Sequence, residues 1–421
     1  MSILSQQKQS QAPDFPNLRP SLDLRFALAK KLDPRITFTR SSGGSYVGAD
    51  GLMKTAGVNE PRFDHDPITG QSLGLLIEEQ RINLYTRSDI EGTVGAQPTG
   101  MQLFGPSNGQ TAVVSTDVSL GPNGQSCKHT RGTWSDNNIG YFGSGTVTAG
   151  STYVFSVYVY IPSSQAKNFE GKLIFCDMEN AFTSRTRASA DVTIVDRWQR
   201  IWGTCVPSTT SATWVLRTTA NTGSFLYTDC WQLELGSLPT SYMPASGGSQ
   251  FTRNPDNAQI TGTNFSSWYR QDEGTVSISC ITRWALNSGN ATDFLISNSF
   301  TTTYTSRIIG WFNNLVTPYI SVFVNNINIL LPFIGVPGSS SNIPIKKAIA
   351  LATRNMRVAT NGTIITGNLG NTTVPNYLPN DFNRLLLGYE GIFAGYLNGT
   401  ISRFTYYPKA LPNSQLQALT R

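Results

Sequence analysis

The chain has 421 residues, too many for one sandwich-sized domain, with 39% hydrophobic and 14% charged side chains. Ser, Thr and Asn stand where a helical bundle would carry Ala, Leu, Glu and Lys, which excludes long helices and suits short strands joined by polar turns. The net charge of +6 comes from 32 basic and 26 acidic groups with no dense Lys/Arg block, so nucleic-acid binding by counterion release has nothing to stand on.

Residues 1–35 read as an anchoring arm. Gln6, Gln7, Gln9 and Gln11 occupy the place where a signal peptide would need an apolar core, so none is expected. Within the arm, Leu24, Phe26, Leu28 and Leu32 have a short helical spacing that Pro34 would end. Residues 36–88 are densely punctuated short strands. Asp50-Gly51 sits where a hairpin turn would, and Gly74-Leu75-Leu76-Ile77 reads as a buried strand.

Strand signals then recur over residues 89–248. Tyr153, Phe155, Val157, Val159 and Ile161 alternate toward one face, while Ser156, Tyr158 and Tyr160 take the other. Trp198–Val206 and Ala212–Thr218 are further strands. Such spacing without intervening helices predicts a sandwich or jelly roll. The stretch around Ser246-Gly247-Gly248-Ser249 reads as a linker into a second all-β block, residues 249–421. In that block Asn361-Gly362 is a strong hairpin signal, Asn398-Gly399 repeats the device, and Leu411–Leu419 is a short closing helix with Leu416 and Leu419 inward. The most apolar run, Ile327–Val336, is interrupted by Pro332 and too short to span a membrane.

The same residues carry a resemblance. Phe38 to Tyr46, Asp50-Gly51-Leu52, Asn59 to Phe63 and Gly74 to Leu84 together resemble a module of tailed-phage structural proteins found in tail and head appendages. Trp231-Gln232-Leu233-Glu234-Leu235-Gly236 with Pro239-Thr240-Ser241-Tyr242 resembles the last strand of the carbohydrate-binding-module jelly rolls that follow it. The Asn361-Gly362 hairpin, the Arg384–Gly388 strand and the ending from Tyr406 to Leu419 are similar to laminin-G and concanavalin-like domains. The resemblance implies an all-β chain: two tandem sandwiches, jelly roll and laminin-G-like, after an arm and a small β module. It also implies a place in the virion after assembly in the bacterial cytoplasm. Its partners would be other virion proteins through the N-terminal region, copies of itself in a symmetric oligomer such as a trimer, and host surface glycan.

Chemistry-bearing patterns are few, and no enzyme activity is expected. Asp177 and Glu179 have period-two spacing, but no Glu-x-Asp-x-Glu strand of the glucanase kind is present. Glu78 and Glu79 are better placed to pair with Arg62 or Arg81. His65 sits in an acidic turn, His129 in a strand, and no Gly-x-Ser-x-Gly elbow accompanies either. Asp64, Asp66 and Thr69 offer oxygens, for which bonding to turn amides is the simpler role than calcium. Cys127, Cys176, Cys205, Cys230 and Cys280 form no Cys-x-x-Cys pair and are expected as buried thiols, with no metal and no cofactor. Flat rings on a sheet are the better binding candidates, since sugars present apolar C–H faces: Trp134, Tyr141 and Phe142 in a loop-like stretch, Tyr158 and Tyr160 on their strand, and Trp214 nearby. The expected function is a virion appendage that attaches to host glycan as a tail adhesin. The alternatives are a structural head fibre or decoration protein and, last, a glycan depolymerase.

Overall fold

The computed structural model describes residues 16–104, 111–125, 128–133, 140–179, 182–220, 222–283, 291–298, 306–312, 318–324, 327–332, 344–353, 355–365, 381–390 and 395–421. The described chain is nearly all β and forms two sandwiches. In the jelly roll, a six-stranded antiparallel sheet runs in the order Phe182–Arg187, Trp198–Pro207, Tyr153–Tyr160, Phe225–Leu235, His129–Thr133 and Thr111–Ser115. A four-stranded sheet of Ile174–Glu179, Ser211–Thr218, Gly140–Thr146 and Gln102–Phe104 faces it. The alternation read in Tyr153–Tyr160 is the cause of this layer. Tyr153, Phe155, Val157 and Val159 point into the core against Cys176, Met178, Trp214 and Leu216 of the facing sheet.

The second sandwich has an eight-stranded sheet and a seven-stranded one. Glu273–Thr282 is central to the first, between Pro344–Ala352 and Gly399–Tyr407. Arg384–Leu387 lies in the middle of the second, between Asn257–Thr261 and Ala291–Ser297. Val276, Ile278, Phe294, Ile296, Leu385, Leu387 and Phe404 fill the space between them. Asn361 and Gly362 both have positive φ, 44° and 77°, and close the Asn355–Thr360 hairpin as their sequence demands. The final helix, Asn413–Thr420, lays Leu416 and Leu419 on this sheet.

The two sandwiches are nested along the chain, and sheet pairing crosses the boundaries read at residues 35, 88 and 248. Leu22–Leu24 is a strand bonded to Gly399–Tyr407, Ser72–Ile77 pairs with the same strand, and Thr37–Thr39 pairs with Asn257–Thr261. All three therefore belong to the second sandwich. The jelly roll leaves and rejoins it through Arg81–Asn83 and Phe251–Arg253, which pair with each other as a neck. The helical spacing of the arm is realised only over Phe26–Ala29. Leu22 and Leu24, both buried, follow the period of a strand, and Leu28 is 73% exposed.

A buried ionic knot locks the neck. Arg40, Arg62, Arg253 and Asp256 have no exposed side-chain surface, and Glu78 almost none. Arg62 donates to Glu78 (2.8 Å), to Ser241 Oγ (2.7 Å) and to Asp256. Arg40 donates to Asp256 Oδ1 at 2.9 Å, and Arg253 reaches Thr240 and Ser241 hydroxyls at 3.0 Å. Ser241 donates its N–H and hydroxyl to Glu78, while Thr240 does the same for the buried Glu234. Burial pushes the Glu78 carboxyl up, but the charges of Arg253 and Arg62 outweigh it and hold the group well below the usual carboxylate range. Glu79 pairs with Arg81, so both expected acidic pairings are present.

Candidate functional site

The outer face of the six-stranded sheet carries a row of rings. Strand register builds it: Tyr160 lies opposite both Trp198 and Tyr227, and Tyr227 lies opposite Arg131 on the far side. Residues directly opposite in an antiparallel ladder share a face, so these side chains converge. Ring centroids are 5.4 Å apart for Tyr160 and Trp198, 6.2 Å for Tyr160 and Tyr227, and 5.9 Å for Phe225 and Tyr227. His129 supports the row from the next strand, edge-on to Tyr227 at 5.1 Å. The Arg131 guanidinium lies 4.1 Å from the Phe225 centroid. Tyr160, Trp198, Phe225 and Arg131 are half-buried, Tyr227 and His129 buried, so the row presents ring surface to solvent over a filled base.

The polar edges of the rings are fixed. Trp198 Nε1 donates to the Leu120 carbonyl at 2.9 Å, and the Tyr227 hydroxyl donates to Asp117 at 3.1 Å. Asp196 accepts the Ser163 N–H at 2.8 Å and lies 3.4 Å from the Tyr160 hydroxyl. Burial first, then the Asp117 carboxylate, pushes the Tyr227 phenol up to about 12. Burial and Asp196 also raise Tyr160. Both phenols therefore stay protonated at neutral pH, while the hydrogen bonds from Ser163 keep Asp196 low and ionised. The row offers flat apolar rings, carboxylates at the Tyr160 and Tyr227 hydroxyls and a guanidinium over Phe225. That set fits a ligand with an apolar face and a hydroxylated or acidic rim.

The residues expected at a binding face are dispersed. Tyr160 is in the row. Tyr158, two positions along the same strand, packs against Met53, Cys230 and Tyr242, with Arg200 5.8 Å from its ring centroid, which makes it part of the contact with the neighbouring hairpin. Trp214 is a correction: it is 2% exposed and packs on Tyr85 and Phe155, because its place in the register faces it inward beside Cys176 and Met178. Tyr141 and Phe142 lie in the strand Gly140–Thr146, opposite Leu216 and Val215, in place of the expected loop. Trp134 lies outside the described residues, as does Cys127. Trp198, Tyr227, Phe225 and Arg131 went unnoticed in the sequence. For Trp198 the signal was available, since Trp198, Arg200 and Trp202 alternate with the inward Ile201, Gly203 and Cys205.

Of the carboxylates considered for other chemistry, Asp177, Asp64 and Asp66 are engaged. Asp177 accepts from Arg185 at 3.0 Å and Arg187 at 2.6 Å, with Arg217 at 3.5 Å. Asp64 accepts the Val47 N–H at 2.7 Å and pairs with Arg283. Asp66 caps its own turn through the amides of Ile68 and Thr69. Among the described residues, no three His, Cys, Asp or Glu side chains group as metal ligands do, and Cys176, Cys205, Cys230 and Cys280 are buried free thiols. No described helix is long and apolar enough to cross a membrane.

No protein-family model and no curated protein matches the chain. Among solved structures, it is similar to the CBM40 module of the Ruminococcus gnavus IT-sialidase bound to α2,3-sialyllactose, at 15% identity and a TM-score of 0.31, covering 37% of this chain and 86% of the module. It is similar to Trypanosoma rangeli sialidase at 12% identity and a TM-score of 0.31, covering 39% of this chain and 25% of the sialidase. A leech intramolecular trans-sialidase matches at 18% identity and a TM-score of 0.27, over 36% of this chain and 23% of its own length. The likeness is weak and concerns β-sandwich modules. The chain spans only about a quarter of the two sialidases it resembles.

Proposed function

We propose that this protein is a non-enzymatic glycan-binding appendage of a tailed-phage virion, and that the row Tyr160, Trp198, Tyr227 and Phe225 with Arg131 is its binding face. One observation carries the reading: the half-buried rings of Trp198, Tyr160 and Phe225 are joined through the buried Tyr227 into one row on an outer sheet face, with carboxylates at the Tyr160 and Tyr227 hydroxyls and a guanidinium over Phe225. A pyranose would lay its C–H face on the rings, donate hydroxyls to the carboxylates and, if acidic, meet Arg131. The virion assignment is supported by the order of the phage-type motifs, whose polar residues supply the buried neck that carries the jelly roll on the second sandwich. Other virion proteins would dock through the N-terminal region, and symmetric self-association would multiply weak sites by effective concentration.

The test is binding of the purified full-length chain to a panel of neutral and acidic oligosaccharides, sialyllactose among them, and to intact host cells, with released sugar assayed alongside. Trp198→Ala and Tyr160→Ala are each expected to weaken binding about tenfold or more, about 1.4 kcal/mol, with thermal unfolding unchanged and no sugar released. A folded chain that binds no glycan would overturn the adhesin reading in favour of a structural head fibre. Undiminished binding by Trp198→Ala would move the site off this face.

A further inference from the structure

The core of the second sandwich holds a lysine where its strand pattern calls for an apolar residue. Along Pro344–Ala352, Ile345, Lys347, Ile349 and Leu351 all point inward, and Lys347 is fully buried. Its Nζ meets the Asp293 carboxylate, equally buried, which comes from Ala291–Ser297 in the opposite sheet. The register of that strand shifts between Thr292 and Phe294, so Asp293 is an extra residue in a bulge with its side chain in the core. Cys280, on the neighbouring central strand opposite Ile345, directs its thiol to Asp293 Oδ2 at 3.6 Å. The other oxygen, Oδ1, is buried with no hydrogen-bond partner. A Cβ on Gly310 would lie 2.1 Å from it, so only glycine leaves it room. Nζ also donates to the carbonyls of Trp311 and Tyr319 at 3.5 and 3.4 Å and lies 4.2 Å from the centroid of the Phe312 ring, while the Phe294 N–H bonds to the Asp293 carboxylate.

We infer that Lys347 and Asp293 condense to an intramolecular isopeptide bond that ties the two sheets of this sandwich covalently. Two charges in a dry core are costly to bury, and here one carboxylate oxygen, Oδ1, has no hydrogen bond to offset that cost. Transfer of one proton from the ammonium to the carboxylate gives a neutral amine and a neutral acid, the forms a low-dielectric site favours. Burial pushes the Asp293 carboxyl upward, in the same sense. The amine nitrogen then attacks Cγ and the new N–C bond forms. The Cγ–O bond breaks, and the hydroxyl leaves as water with one amine proton. Nothing is oxidised or reduced, and no co-reactant is needed. The Cys280 thiol, a donor to Oδ2, is placed to lend and recover a proton as the tetrahedral centre collapses. The product amide removes both buried charges and leaves one carbonyl and one N–H near the backbone carbonyls that now face Nζ.

Intact-mass spectrometry of the purified full-length chain tests this directly. The expected mass is one water below that of the sequence, and peptide mapping should find the Asp293 and Lys347 segments as one branched species. Lys347→Arg keeps the charge but cannot form the bond, and should restore the full mass and separate the peptides. A folded wild-type chain at its full sequence mass would overturn the inference and leave an ordinary buried ion pair. A water loss that maps elsewhere, or that persists in Lys347→Arg, would overturn it equally.

Discussion

Asp256→Ala should be among the most damaging single changes in this protein, because the knot at the neck gives Asp256 several partners and water none. Its carboxylate accepts Arg40 Nη1 at 2.9 Å, the Glu78 N–H at 2.9 Å and a guanidinium nitrogen of Arg62. After truncation Arg62 still has Glu78, but Arg40 keeps only the carbonyls of Ser42 and Gly57 as hydrogen-bond partners, and its buried charge loses the carboxylate it is bonded to. Breaking a buried pair from one side costs about 3–5 kcal/mol. The orphaned Glu78 amide adds on the order of 1 kcal/mol. A loss of roughly 4–6 kcal/mol is therefore expected, read as the shift in urea midpoint at constant slope by tryptophan fluorescence and circular dichroism. Asp50→Ala, which breaks the exposed pair with Lys54, is the control and should be nearly silent. An Asp256→Ala loss below about 1 kcal/mol, the scale of a surface pair, would refute the reasoning, since it would mean that the knot is solvated or that Arg40 finds another partner.

Glu78 is held ionised by its arginines, so it stabilises the fold above its unfolded pKa, near 4.3, and that contribution drains away as pH falls toward its depressed folded value. Unfolding free energy should decline from about pH 5 downward, and Glu78→Gln should be less stable at neutral pH yet flatter with acid. Trp214→Ala should cost about 3–5 kcal/mol as a core cavity, whereas Trp198→Ala on the outer face should leave the denaturant midpoint in place; equal losses would contradict the assigned faces. Gly74 has φ of 105°, and a Cβ there would sit 2.1 Å from the Ile401 carbonyl. Gly74→Ala should therefore lose more than about 2 kcal/mol, and a silent outcome by thermal unfolding would show that the paired strands part easily.

Local chemistry was legible where a residue's partner is near in sequence or its period is long enough to count. The five inward residues from Tyr153 to Ile161, the Asn361-Gly362 turn and the pairing of Glu78 and Glu79 with Arg62 and Arg81 are of that kind. The N-terminal segment was misread for the opposite reason. Leu22 and Leu24 look helical beside Phe26 and Leu28 until Tyr406 and Phe404 arrive to pair with them. No local pattern encodes a partner so distant, and the nesting of the jelly roll was hidden with it. The ring row is a third case. Tyr160 was visible as an outward residue, but its convergence with Trp198, Tyr227 and Phe225 depends on which strands are neighbours, a property of topology alone.

The motifs of the N-terminal stretch gain a physical meaning from where their polar residues end up. Arg40, Arg62 and Glu78 come from the stretch read as a small module, Thr240 and Ser241 from the end of the jelly roll, and Arg253 and Asp256 from the segment just beyond it. Those segments are far apart in sequence and converge only at the neck. Apolar residues of similar volume could make such a joint as stable, but they would accept many rotations of one sandwich on the other. Here each guanidinium finds its carboxylates, hydroxyls and carbonyls in one arrangement, and any slip leaves a charge buried and unpaired. Neighbouring contacts act in the same sense: Met53 of the hairpin packs on Tyr158 and Tyr242, and its N–H reaches the Pro122 carbonyl of the jelly roll at 3.0 Å. The segment first read as a separate module thus works as a joint, and the direction of the ring row follows from how that joint is bonded.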